Sequence, residues 1–148
     1  MDSDQSSGMS RPTGRTRGCT PADVPARLKD AADFLEAAEM LSKPGKGDVV
    51  ATNAIHSAIA AADVICCVHL GQRSNDGNHR AAVDLLGKVE PGFANLLRRA
   101  LDRKQQAGYE SRDLADSDAA SCVEQARKLY AHAQNAAQLS APNRPNNV

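Results

Sequence analysis

Five side chains stand where their types and spacing could do chemistry: Asp63, Lys104, His56, His79 and Tyr109. Asp63 is the one carboxylate in "AIAAADVICCVHLG", a stretch that is otherwise small and apolar. An ionised carboxylate there must either face water or meet a partner, because losing its hydration unpaired is costly. Lys104 follows Phe93, Leu97 and Ala100 by 11, 7 and 4 residues, which puts it on an apolar helical face, about 20° from Phe93 in projection. Each residue carries the charge that the other's setting makes expensive. The spacing therefore pairs Asp63 with Lys104, directly or through a bridging residue such as Tyr109; the alternative is two partly solvated side chains.

Thr52 and His56 project within about 40° of Asp63 and extend it into one polar stripe on the same helix. His56 is then either part of a site or a packed histidine bonded to a carbonyl or to Tyr109. Tyr109 follows Gly108 at a helix end, where its ring can pack and its hydroxyl can reach a buried acceptor. His79 opens a predicted helix. That position favours a neutral imidazole near neutral pH, which suits a general base.

These residues need helices to carry them. The first predicted helix opens at "TPADVPARL", with Thr20 as cap, follows Val24, Leu28, Ala31, Leu35, Ala38 and Leu41, and ends near Ser42 before "KPGKG". A second runs from about Asp48 to Leu70 with Gly71 as its stop; its apolar side chains point almost all round, which makes it the central helix. Asn78 caps a short third helix, "HRAAVDLLGKV". A fourth, "FANLLRRALDRKQQA", presents Phe93, Leu96, Leu97, Ala100 and Leu101 on one face and stops at Gly108. The fifth begins after Asp116 or Ser117 and follows Cys122, Ala126, Leu129, Tyr130, Ala133 and Ala137. Strand signals are absent, so the fold class is all-α: an up-and-down bundle of four long helices plus one short helix. The polar ends, residues 1–19 and 140–148, read as disordered tails around one domain at 20–139.

The totals bound the function. Lys and Arg number 18 against 18 Asp and Glu, so no global field draws the chain to nucleic acid or to an anionic membrane, and any such binding must come from a local patch. Arg80, Lys88, Arg98, Arg99 and Arg103 could form one, or could be an ordinary solvated face. Aromatics make up 3% of a 148-residue chain without Trp, and an Ala-rich core buries modest area, which favours a dimer. Cys19, Cys66, Cys67 and Cys122 lack metal-ligand spacing. Cys66 and Cys67 read as small buried hydrophobes, and a reducing cytoplasm is the expected setting, with no metal or cofactor. No charge-free apolar run of membrane length and no signal-peptide core is evident.

The segments "NAIHSAIAAADVICCVHLG", "GNHRAAVDLL" and "AGYESRDLADSDAASCVEQARKLYAHA" resemble the HEPN superfamily of helical-bundle domains, in particular an actinobacterial branch. The resemblance spans most of residues 48–134. It implies a four-to-five-helix bundle, commonly dimeric, in toxin–antitoxin, defence or RNA-processing settings. Many active members are metal-independent endoribonucleases in which four to six residues separate an Arg from a His, composite across the dimer. The histidine handles the 2′-hydroxyl proton and the arginine stabilises phosphate charge. Two matches exist, Arg73 with His79 and Arg127 with His132. On a regular helix Arg127 and His132 stand about 140° apart, whereas Arg73 and His79 flank a loop at a helix start and could converge on a phosphate. Ser74, the polar residue after Arg73, fits the family pattern. Ala81 stands where members modified by a nucleotidyltransferase partner carry Tyr, so that regulation is not expected.

Two functions follow as expectations. One is a binding module for a partner protein such as a cognate antitoxin or nucleotidyltransferase, for a nucleotide or for RNA, with His56, Asp63, Lys104 and Tyr109 as binding residues. The other is a ribonuclease using Arg73 and His79. A third reading is a dimeric scaffold without ligand.

Overall fold

The computed structural model describes residues 15–75 and 77–140. Five helices form in order: α1 (Asp23–Met40), α2 (Gly47–Leu70), α3 (His79–Val89), α4 (Pro91–Tyr109) and α5 (Asp116–Ser140). They make a helical bundle organised around α2, which packs along α1 and α5 and meets α3 and α4 on its remaining side. The all-α expectation holds, with one addition. Thr16–Gly18 (β1) and Gln72–Ser74 (β2) form a small antiparallel ribbon, with Arg17 opposite Arg73.

Local sequence explains most boundaries. The α1 start differs from expectation: the N-cap is Ala22, with no side-chain cap bond. Thr20 contributes only backbone, its carbonyl accepting the Asp23 N–H at 3.0 Å and its N–H donating to Asp23 Oδ2 at 2.7 Å, with Asp23 an acid in the first turn where the helix dipole favours it. Pro25 falls within that turn, where its missing N–H breaks no intrahelical bond. Helix α2 ends as expected on Gly71, whose φ of 74° is the left-handed cap that glycine adopts without strain. Asn78 accepts the Ala81 N–H at 3.0 Å and starts α3. Glu90, in extended conformation, ends α3 and opens α4, with Pro91 in the first turn of α4.

The core is alanine-rich. Ala54, Ala58, Ala60 and Ala61 of α2 are fully buried, and Ile65, Leu86, Leu97 and Leu129 fill the space between helices. Small side chains let backbones approach closely: a Cβ on Gly47 would come within 2.0 Å of the Leu114 carbonyl oxygen. Asp48 locks that approach by accepting the Leu114 N–H at 3.0 Å. Helix α2 is long and apolar enough to cross a membrane by length and composition, and 72% of its most apolar window is buried inside the bundle.

The N-terminal expectation is corrected in part. Residues 15–19 are ordered: β1 pairs with β2, the Cys19 N–H donates to the Gly71 carbonyl at 3.0 Å, and Cys19 forms a disulfide with Cys67. Cys67 is therefore not a free hydrophobe, although Cys66 is buried with a free thiol as expected. The rest of the assigned N-terminal tail, residues 1–14, and residues 141–148 of the C-terminal one lie outside the described residues, and Ser140 belongs to α5.

Candidate functional site

Asp63 is met, but not by Lys104. Its carboxylate is 3% exposed and sits where the third turn of α2 from its C-terminal end faces α1 and β2. Arg27 of α1 donates Nε–H to Oδ2 at 3.0 Å, Arg73 of β2 lies with Nη1 3.4 Å from the same oxygen, and Ser74 Oγ is 3.4 Å from Oδ1. Arg27 also holds Asp30 at 2.8 Å, and Arg73 Nε lies 3.8 Å from Asp23. Two guanidiniums thus share three carboxylates at the joint of α1, α2 and β2. The pairing with Lys104 fails because planar, multidentate arginines on nearer elements reach the carboxylate first. Arg27 was visible in principle: it lies three residues after Val24 and four before Ala31, beside the buried face of α1. Arg73 needed β2, which no periodicity announces.

Lys104 instead turns to the other end of the α2 stripe. It lines a cavity of about 460 Å³ together with Thr52, His56, His79, Arg80 and Arg98, over an apolar floor of Ile55, Val83 and Leu101. A smaller cavity of about 180 Å³ is lined by Arg27, Phe34, His56, Asp63, Ser74 and His79 among others. His56 and His79 border both cavities, so the stripe Thr52, His56, Asp63 runs from the larger cavity to the smaller one, a pair of adjoining hollows here termed the groove. His56 packs its ring on Phe34 with centroids 5.1 Å apart, which fixes the imidazole against α1. Tyr109, 87% exposed at the end of α4, takes no part in either cavity and bridges nothing at Asp63.

The electrostatics of the groove are set by its bases. Partial burial holds His79 below the ordinary histidine pKa, and the neighbouring His56 adds to the depression, so a neutral imidazole with an available lone pair faces the groove near neutral pH. Arg80, Arg98 and Lys104 give the larger cavity a cationic rim, with Asp102 as its one carboxylate. Of the remaining basic residues singled out, Arg103 pairs with Asp118 at 3.5 Å.

No family model, curated protein or solved structure matches this chain.

The two Arg and His spacings fare differently. Arg127 is held by Glu39 and Glu124 at 2.8 and 2.9 Å, while His132 stacks on Phe93 with centroids 4.3 Å apart, so they serve separate packing contacts. Arg73 and His79 lie either side of the loop after β2, but Arg73 is 6% exposed and turned onto Asp63, and it lines neither cavity that His79 borders. The arginines that do share a cavity with His79 are Arg80 and Arg98 in the larger one and Arg27 in the smaller.

Proposed function

We propose that the groove binds a phosphorylated ligand, a nucleotide or a segment of RNA, as the recognition site of a HEPN-like module in a toxin–antitoxin, defence or RNA-metabolism system. The observation that carries this reading is the grouping of Arg80, Arg98, Lys104 and two imidazoles around one apolar-floored cavity of about 460 Å³. That volume suits a nucleotide-sized ligand, with Ile55, Val83 and Leu101 placed to cover a base and the cations to hold phosphate. The same proposal includes the up-and-down order of four long helices and one short helix and a homodimer, which accompany the HEPN resemblance; the reducing cytoplasm expected from the cysteines loses part of its ground to the Cys19–Cys67 disulfide.

Titration calorimetry or fluorescence polarisation against nucleoside monophosphates and a short single-stranded RNA tests it. Binding should weaken at least about ten-fold in Arg80→Ala and in Arg98→Ala, each removing a charge-assisted contact. Absence of binding at millimolar ligand, an affinity of about 4 kcal/mol or less, rejects the reading.

A metal-independent endoribonuclease is the second reading, favoured by the depressed pKa of His79 in a phosphate-sized groove. There His79 takes the 2′-hydroxyl proton and Arg80 or Arg98 meets charge on the phosphate, while Arg73 supports the fold through Asp63. Cleavage of RNA in EDTA that disappears in His79→Ala supports it; unchanged cleavage removes His79 from the chemistry.

A further inference from the structure

We propose that Cys19, Cys67 and Asp23 form a redox-gated site for a thiophilic divalent cation, zinc above all, where β1 and α1 meet the end of α2. The two sulfurs and a carboxylate oxygen lie within 4.8 Å of one another. They come from the residue that follows β1, from α1 and from α2, which is why no sequence spacing announces them.

Backbone contacts besides the S–S bond bring the cluster together. The β1–β2 ladder and the Cys19 N–H bond to Gly71 carry Cys19 to the end of α2. The Thr20 N–H holds the Asp23 carboxylate in place through Oδ2. The Cα atoms of the two cysteines are 5.7 Å apart. Tetrahedral zinc with bonds of about 2.3 Å needs its sulfurs roughly 3.8 Å apart, a separation that side-chain rotation supplies without moving the backbone. Two thiolates, one carboxylate and a water complete four ligands.

The other two thiols, Cys66 and Cys122, are both buried and join no such cluster among the described residues. In the cell a dithiol reductant would open the bond: it supplies two electrons and two protons, becomes a disulfide itself and leaves two thiols. Zinc then displaces those two protons. A small-molecule disulfide reverses the sequence: it takes the two electrons and two protons to become two thiols, the protein sulfurs rejoin and the metal is released, so one joint holds either a covalent clamp or a cation.

The test uses the full chain, reduced with a phosphine that ends as phosphine oxide by taking oxygen from water, then freed of reductant under anaerobic conditions. Zinc is titrated against a chromophoric chelator, and cobalt is used as a spectroscopic probe. One zinc per reduced chain, a thiolate-to-cobalt charge-transfer band and no high-affinity zinc in the oxidised protein are expected. Cys67→Ser and Cys19→Ser should each abolish the band. Cys19 is the less enclosed position, so the fold of its variant, checked by circular dichroism, guards against collapse. Asp23→Asn should weaken zinc about ten-fold or more, and Cys66→Ala should leave it unchanged. Equal zinc affinity in the reduced and oxidised proteins, or in wild type and Asp23→Asn, would overturn the proposal.

Discussion

Asp63 and His79 show how single ionisable groups are handled here. Asp63 offers its two oxygens to Arg27, Arg73 and Ser74, and removing it would take the nearer of two carboxylates from the Arg73 guanidinium, which is only 6% exposed and would keep Asp23 at 3.8 Å. Asp63→Ala should therefore cost about 3 kcal/mol in denaturant unfolding, whereas Arg27→Ala should cost less, since Arg27 is partly solvated and Arg73 still serves the carboxylate. Lys104→Ala, outside this network, should change stability by under about 1 kcal/mol. A double Asp63/Arg73 variant should lose less than the sum of the singles; strict additivity would mean that the groups do not interact. For His79 the sign runs the other way from a paired histidine. Its folded pKa lies below the ordinary 6.5, so the unfolded chain takes up the proton first as pH falls, and stability drops progressively below about 6.5. A phosphate ligand should reverse the shift by favouring the imidazolium, so affinity should rise as pH is lowered through the folded pKa, and NMR titration of His79 with and without ligand should show the displacement upward.

At the scale of elements, the helices were legible because α1, α4 and α5 carry an apolar stripe of period 3.6 while α2 is apolar almost all round, and because local chemistry marks several ends: Gly71 after α2, Asn78 before α3, Pro91 within the first turn of α4. The ribbon was not. Its strands are three residues of polar sequence, TRG and QRS, too short for alternation, and their pairing is decided by tertiary contacts such as Thr16 Oγ1 to Gln72 Oε1 at 2.9 Å. That blind spot accounts for the site's main surprises. Without β2 there was nothing to bring Arg73 and Ser74 onto Asp63, and without β1 no reason for Cys19 to reach Cys67. The stripe Thr52, His56, Asp63 was legible because it lies on one regular helix; Tyr109 was misplaced because a helix end fixes no direction. The clamp itself is measurable: a disulfide joining residues 48 apart should contribute about 4 kcal/mol by restricting the unfolded chain. Reduction without metal, followed by thermal unfolding, should lower the midpoint by more than ten degrees for a domain of this size, and zinc should restore part of the loss.

For the molecule as a whole, formal neutrality conceals a local concentration of positive charge at the groove, so ligand binding should weaken with salt through a few contacts rather than many. The composition of the core bears on assembly. Six of the fifteen buried residues of α2 are Ala, with two each of Val, Ile and Cys, and a chain with two Phe, two Tyr and no Trp gains little area per residue from its own packing. A small domain in that position gains most from burying a face against a second copy, and closed two-fold pairing is the commonest way to do so. The expectation is a homodimer at about ten to a hundred micromolar, an association in the micromolar range or tighter. Its unfolding midpoint should rise with protein concentration, because assembly stabilises the folded state by mass action. Sedimentation equilibrium reads the mass directly. A monomer across that range, with a midpoint independent of concentration, would show that the alanine core and the disulfide suffice, and would require each chain's groove to act without residues from a second chain.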